Sequence, residues 1–365
     1  MGIAITQWDA VSPFGTGRDA FTEGLWSGAR PAAALDPEVW PVPYPRAGLV
    51  PDFSPREALG AKGTRAMDRV TALAAVAVGR LLQEAGTDPA PDAPERLGLV
   101  LGTTTGSVQS MTDFTRDSLR GSRPFYVEPA RMPNTVMNCA AGQCAIRYGM
   151  RGPNVTIAGG RAAGLLAMSY QRRLLSSGRA RRVVCGAAEE YSVTRSWLEH
   201  HARPDGADPV LHGEGCAVVL GDGAPSGPAL AELLTVRSQV CHGDDPAEAV
   251  RQVVLRTLAS AGASADEVWA VSPSRPPGSA GDREEAALAR LFDSAALDRL
   301  PRLPFGDTGA ASAAFQLVSV LSALDRRPAA AGRLAVVSSV DRDGTVACAL
   351  LRLGERHAAA RPQRG

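Results

Sequence analysis

Two kinds of apolar segment alternate along the chain. Short runs rich in leucine and β-branched residues, at 3–10, 97–102, 154–157, 182–186 and 215–220, have the length and bounding turns of buried strands. Between them stand longer segments, at 67–84 and 162–168, with alanine, valine and leucine on nearly every face. These read as helices enclosed by the fold rather than lying on its surface. The grammar then repeats, with a strand at 231–240, a helix at 246–261, a strand at 267–272, an almost wholly apolar helix at 310–324, and strands at 334–339 and 345–351. The order β-α-β-α-β-β therefore occurs twice, over 3–221 and 230–353. Buried helices between strands predict two sheets clasping a shared helix layer. The expected division is a first half at 1–225, a second half at 226–353, and a charged, disordered tail at 354–365.

Residues 132–190 are the most informative stretch. Gly152-Pro153 turns into the strand at 154–157, the chain breaks at Gly159-Gly160, and the buried helix follows until Gln171-Arg172-Arg173 brings it out. Strand, tight turn and buried helix start place Arg161 at a helix N-terminus inside the protein. Such a position suits a nucleophile, because the N–H donors and positive dipole of the helix end favour a thiolate or an oxyanion. An arginine opposes that dipole and serves as neither nucleophile nor base. The position has the setting for chemistry and the wrong residue for it.

Composition narrows the class without naming a reaction. Hydrophobic residues make up 45% and charged residues 21%, as in a globular protein with a full core. The net charge of +1 offers no overall field for nucleic acid or a membrane surface. Cys139, Cys144, Cys185, Cys216, Cys241 and Cys348 form no C-x-x-C and no cysteine–histidine spacing, so reduced core thiols are expected and no metal site. The start of the chain has no basic region followed by an apolar one, and no run reaches membrane-spanning length; a cytoplasmic protein is expected.

The stretch MPN…AAG…YGMRGPNVTI and the buried helix after it resemble the β-ketoacyl synthases of the thiolase superfamily. Further signposts stand in the same order: Val11-Ser12-Pro13-Phe14-Gly15 with Leu25-Trp26-Ser27-Gly28, then Met67-Asp68-Arg69, Gly213-Glu214-Gly215-Cys216-Ala217, and Gly281-Asp282 with Glu285. The resemblance covers nearly the whole chain. It implies the duplicated thiolase fold, a five-layer αβαβα sandwich.

Decarboxylative condensation needs a nucleophile for the acyl chain, donors for the enolate and oxyanion, and a positioned malonyl thioester. The resemblance puts the acyl-carrying cysteine at Arg161, the two catalytic histidines at Ser274 and Asp307, and a lysine near Arg302. The glycine-rich C-terminal loop of the family reads Asp341-Arg342-Asp343-Gly344-Thr345-Val346. His200, His201, His212, His242 and His357 fall at neither histidine position. The pattern therefore implies a non-catalytic relative, the chain length factor of type II polyketide systems, with arginine where its best-known members carry glutamine. The segment between Tyr191 and His212 is shorter than in typical members, which suggests a branch serving reducing, polyene-forming systems.

This resemblance implies a heterodimer with an active ketosynthase subunit and substrates carried on the phosphopantetheine of an acyl carrier protein, with no other cofactor. The interface is expected at Pro133, Met137, Cys139, Cys144, Val155, Ile157 and Arg161. The acyl tunnel is expected to end against a helix bearing Val108, Met111, Thr112, Asp113 and Thr115, with Phe125 nearby. The plainer alternative for that helix is an amphipathic surface helix. Two other readings stay open: an enzyme with relocated residues such as Cys185 and His212, and a homodimeric scaffold that binds an acyl chain or carrier protein. In a homodimer, Arg161 is expected to pair with a carboxylate such as Glu189 or Glu190.

Overall fold

The computed structural model describes residues 2–86, 93–204, 208–243 and 245–355. Residues 356–365 of the expected tail lie outside them. The main strands are β1 (Ile3–Ser12), β2 (Leu97–Thr103), β3 (Asn154–Ala158), β4 (Arg182–Glu189), β5 (Gly215–Asp222), β6 (Ala231–Val240), β7 (Val268–Ser272), β8 (Leu334–Val340) and β9 (Thr345–Leu353). The main helices are α1 (Arg18–Trp26), α2 (Arg69–Glu84), α3 (Val108–Arg120), α4 (Cys139–Arg147), α5 (Ala163–Ser176), α6 (Val193–His201), α7 (Pro246–Ser260), α8 (Ser279–Ala289) and α9 (Ala311–Arg326).

The strands run in the order β7-β8-β9-β6-β1-β5-β4-β2-β3. Where two separate sheets were expected, a short ladder joins them: Ile3 pairs with Leu233, Ala4 with Glu232 and Ile5 with Ala231. The second half follows the predicted β-α-β-α-β-β with a further main helix, α8, inserted before α9. The first adds the helices α1, α3, α4 and α6 and the strand β3, and β3 forms one edge of the sheet.

Alternation along the strands sorts side chains into layers. Leu97, Leu99 and Leu101 of β2 pack with α2 and α4 on the outer face, together with Val184, Val218 and Leu220. Val100, Val183, Cys185 and Val219 turn to the other face, against α5 and α9. In the second half, Val336, Cys348 and Leu350 face α7 and α8, whereas Ala335, Val337, Ala347 and Ala349 face the same α5 and α9. The result is five layers, αβαβα.

The central layer is tight, which accounts for its alanines and for one glycine. A Cβ on Gly164 of α5 would meet the Ala314 backbone nitrogen of α9 at 2.9 Å, so the two helices touch backbone to backbone. Among the described residues, no helix is long and apolar enough to cross a membrane.

Candidate functional site

Three loops from the second half converge on the turn that precedes α5. Arg161 is 8% exposed, and its guanidinium meets partners from the second half. Its Nη1 is ion-paired with Asp307 Oδ1, and its Nη2 donates to the Ser274 main-chain oxygen at 3.0 Å. Its backbone N–H donates to Asp341 Oδ1 at 2.8 Å. That N–H begins the turn into α5, the kind of group that would stabilise an oxyanion. A carboxylate already holds it. Gly160, at φ 51°, leaves room for the same carboxylate, which a Cβ there would strike.

Each partner of Arg161 is itself held. Asp307 Oδ1 accepts from the Gly309 N–H at 2.8 Å, and the Asp307 main-chain oxygen accepts from Gly213 N at 2.9 Å and Arg195 Nη2 at 3.1 Å. Burial acts to raise the Asp307 carboxyl, but the guanidinium groups of Arg161 and Arg195 outweigh it and bring it down to about 2. Ser274 Oγ donates to Glu284 Oε2 at 2.8 Å and accepts from Val340 N at 3.0 Å. Glu284 also takes the N–H groups of Ser274 and Arg275, at 3.0 and 2.7 Å. Arg275 sits at φ 47°, a left-handed backbone for a non-glycine residue at the rim of the site. Burial raises the Glu284 carboxyl despite these four donors, Ser338 Oγ being the fourth.

Arg161, Ser274 and Asp307 line a cleft of about 600 Å³, with walls that include Leu211, Pro273, Pro277 and Leu303. Arg302 stands at its rim, 3.1 Å from Glu285. The three positions that the sequence assigns to a cysteine and two histidines thus meet in one network. Its hydrogen bonds and ion pairs involve no thiol and no imidazole, and the Arg161 N–H at the helix start is already taken by Asp341.

The expected pairing of Arg161 with Glu189 or Glu190 is not what the structure has. Glu189 accepts from Thr104 Oγ1 and from Ala310 N at 3.1 Å, while Glu190 faces two helix ends on the other side of β4. The sequence missed Asp307 as the partner because its backbone reaches the site through the His212–Asp307 bridge, which nothing in the local sequence signals.

A relocated Cys185–His212 pair gains no support. Cys185 is fully enclosed in the central core, and burial pushes its thiol up, away from a thiolate. Burial and then Arg195 press His212 down to about 4, which leaves it neutral at pH 7.

The expected interface residues divide. β3 lies at the sheet edge and pairs only with β2; its Val155 and Ile157 are half-buried. Pro133 and Met137 are exposed, and Met132, Val136 and Ile146 add apolar surface beside them. Cys144 is wholly buried and Cys139 nearly so within the single chain, both on α4. Small apolar residues suit an interface core and a domain core equally.

The expected tunnel residues form no enclosed passage in the single chain. Val108 is buried, Thr112 and Asp113 are half-buried, and Thr115 is exposed. Met111 is 42% exposed and Phe125 is 67% exposed. Asp113 accepts from Gln109 Nε2 at 3.0 Å and pairs with Arg116, so its charge is met within the helix. A partner would have to cover this face before any of it lined a tunnel.

Known proteins resemble the chain in both sequence and fold. The family described as beta-ketoacyl synthase, N-terminal domain, matches residues 2–220. The tetracenomycin polyketide synthase ketoacyl synthase alpha subunit of Streptomyces glaucescens is 32% identical over 195 residues, 51% of this chain and 45% of that one. A putative polyketide beta-ketoacyl synthase 2 of Streptomyces virginiae is 30% identical over 193 residues, 52% of this chain and 47% of that one. The chain thus spans about half the length of these curated relatives. Among solved structures, the ishigamide ketosynthase/chain length factor is similar with a TM-score of 0.94 and 46% identity, covering 97% of this chain and 100% of that one.

Proposed function

Because the chain belongs to the β-ketoacyl synthase family, we propose that it acts as a non-catalytic, chain length factor-like subunit of a type II polyketide ketosynthase. In this reading an active ketosynthase subunit supplies the nucleophile and histidines. This chain docks through the β3 edge and the exposed surface around Met137, completes the partner's acyl tunnel with α3, and sets product length during condensation on acyl carrier protein. Polyene formation by a reducing system belongs to the same proposal. The observation that carries it is the Arg161 network, in which the nucleophile's place is taken by an ion-paired arginine and the helix-start N–H by Asp341.

One observation favours a second reading. Electrostatic repulsion between two Arg161 side chains would oppose a homodimer, but Arg161 is neutralised by Asp307 of its own chain. A homodimeric scaffold for an acyl chain or carrier protein is therefore compatible with the charge distribution.

Co-purification with an active type II polyketide ketosynthase, native mass measurement, and malonyl-carrier elongation with and without this chain separate the two. A 1:1 complex that elongates only when both chains are present is the expected result. A stable homodimer indifferent to the ketosynthase would overturn the proposal in favour of the scaffold.

A further inference from the structure

Helix α3 is weakly embedded. Of its residues only Val108 is buried. Past Gln109, its side-chain hydrogen bonds stay within the helix or reach only Pro124, among the described residues: Thr115 Oγ1 donates to the Met111 oxygen, Arg116 pairs with Asp113, and Ser118 Oγ donates to the Pro124 oxygen. Its polar ties to the body of the protein gather in the first turn.

Those ties centre on Glu190, 2% exposed at the end of β4. Its Oε1 accepts from Ser107 Oγ at 3.1 Å and from Gln109 N at 3.4 Å. Ser107 is the cap of α3, its Oγ also taking the Ser110 N–H at 3.2 Å. The other oxygen, Oε2, accepts from Val70 N at 3.3 Å, in the first turn of α2. One carboxyl group thus bridges the N-termini of two helices, whose first N–H groups find no partner within the helix. A second tie joins the same turn to α6, where Thr194 N donates to Gln109 Oε1 at 3.0 Å. A helix of this length runs roughly 20 Å from its anchored end, so a small change of angle at Glu190 becomes a larger displacement along the face bearing Met111 and Thr115.

We infer that Glu190 is the positioning residue for α3, and that through α3 it fixes the chain-length-setting face of the assembled tunnel. This rests on the chain length factor reading. Glu190 touches neither substrate nor reacting atoms; it acts through the helix.

The test uses the complex of this chain with its ketosynthase partner and compares E190A, E190Q and S107A, with M111W as a control. S107A weakens the anchor from the helix side should E190A fail to fold. Two quantities are read: hydrogen–deuterium exchange across 108–120, and the distribution of product lengths. E190A and S107A are expected to speed exchange in α3 about tenfold while α5 and α9 are unchanged, and to broaden the product distribution. E190Q, which keeps the shape and one strong acceptor, is expected to restore a narrow distribution. A purely structural role would lower total product without moving its length. Unchanged exchange or unchanged product lengths in E190A and S107A, with M111W still shifting length, overturns the inference alone. If M111W also leaves product length unchanged, the chain length factor reading fails and the inference falls with it.

Discussion

The Arg161 network and the α3 face have opposite designs. Around Arg161 the charges are largely enclosed and the guanidinium is paired, with partners from three separate loops of the other half of the chain. Around α3 the large apolar groups are exposed, including Met111, Leu119, Phe125 and Tyr126, and the helix is fastened chiefly at one end. The first region is complete as it stands. The second has the surface of something that awaits a cover. On the proposed function, a site relieved of chemistry can be closed by ion pairs, whereas a surface that shapes a partner's product must stay open until that partner arrives.

The largest effect should come from breaking the closed region. Asp307→Ala leaves a buried guanidinium without its carboxylate and is expected to cost about 3–5 kcal/mol in chemical denaturation. The double change R161M with D307L replaces the pair by apolar groups. It should be neutral or stabilising by about 1–4 kcal/mol; a cost like that of the single mutant would mean the pair holds the loops in a way packing cannot replace.

Next comes pH. Burial pushes Glu190 up to about 8 from an ordinary 4.5, and Asp9 up to about 7 from 3.8, so the folded chain binds more protons than the unfolded one across those windows. Stability should therefore fall as pH rises through them. His212, lowered from 6.5 to about 4, works the other way between those values and is spent above 6.5. Asp307, depressed from 3.8 to about 2, contributes stability that is fully present above pH 4 and lost as pH falls through 2. Denaturation midpoints measured from pH 6.5 to 8 should decline, and E190Q should flatten part of that decline.

Smaller effects are expected at the open surface. Phe125→Ser should change the stability of the isolated chain by less than about 0.5 kcal/mol, since the side chain is mostly in solvent, yet weaken the complex with the ketosynthase in a titration by native mass. An equal loss in both measurements would show that the residue supports the fold and not the partner. The smallest effect expected is none: R161C should give no condensation by this chain alone, because Asp341 still takes the helix-start N–H and Ser274 and Asp307 supply no imidazole.

Sequence patterning carried the layers well, because strand alternation and all-round apolar helices are local signals. It also named Arg161, Ser274 and Asp307 through the family resemblance, and the fold brings them together. It did not reveal that Asp341 faces the Arg161 N–H, because that contact spans 180 residues and depends on how a turn is aimed. Cys144 shows a chemical ambiguity, since its small apolar character fits either side of a surface and it is buried within the single chain. Arg195 went unnoticed although it ties Glu190, Gly213 and Asp307 together through their carbonyl oxygens; an arginine in a polar stretch looks like any solvated one.

The ladder between β1 and β6 also bears on how the chain is made. β1 is made before both its long neighbours in the sheet, β5 and β6, which follow it in sequence only after β2, β3 and β4. Until residues 215–240 emerge, Ile3 and Ile5 have no strand beside them, and most of the work of folding waits on contacts distant in sequence. The nascent chain must therefore carry its central strand uncovered while the strands and helices between β1 and β5 are made.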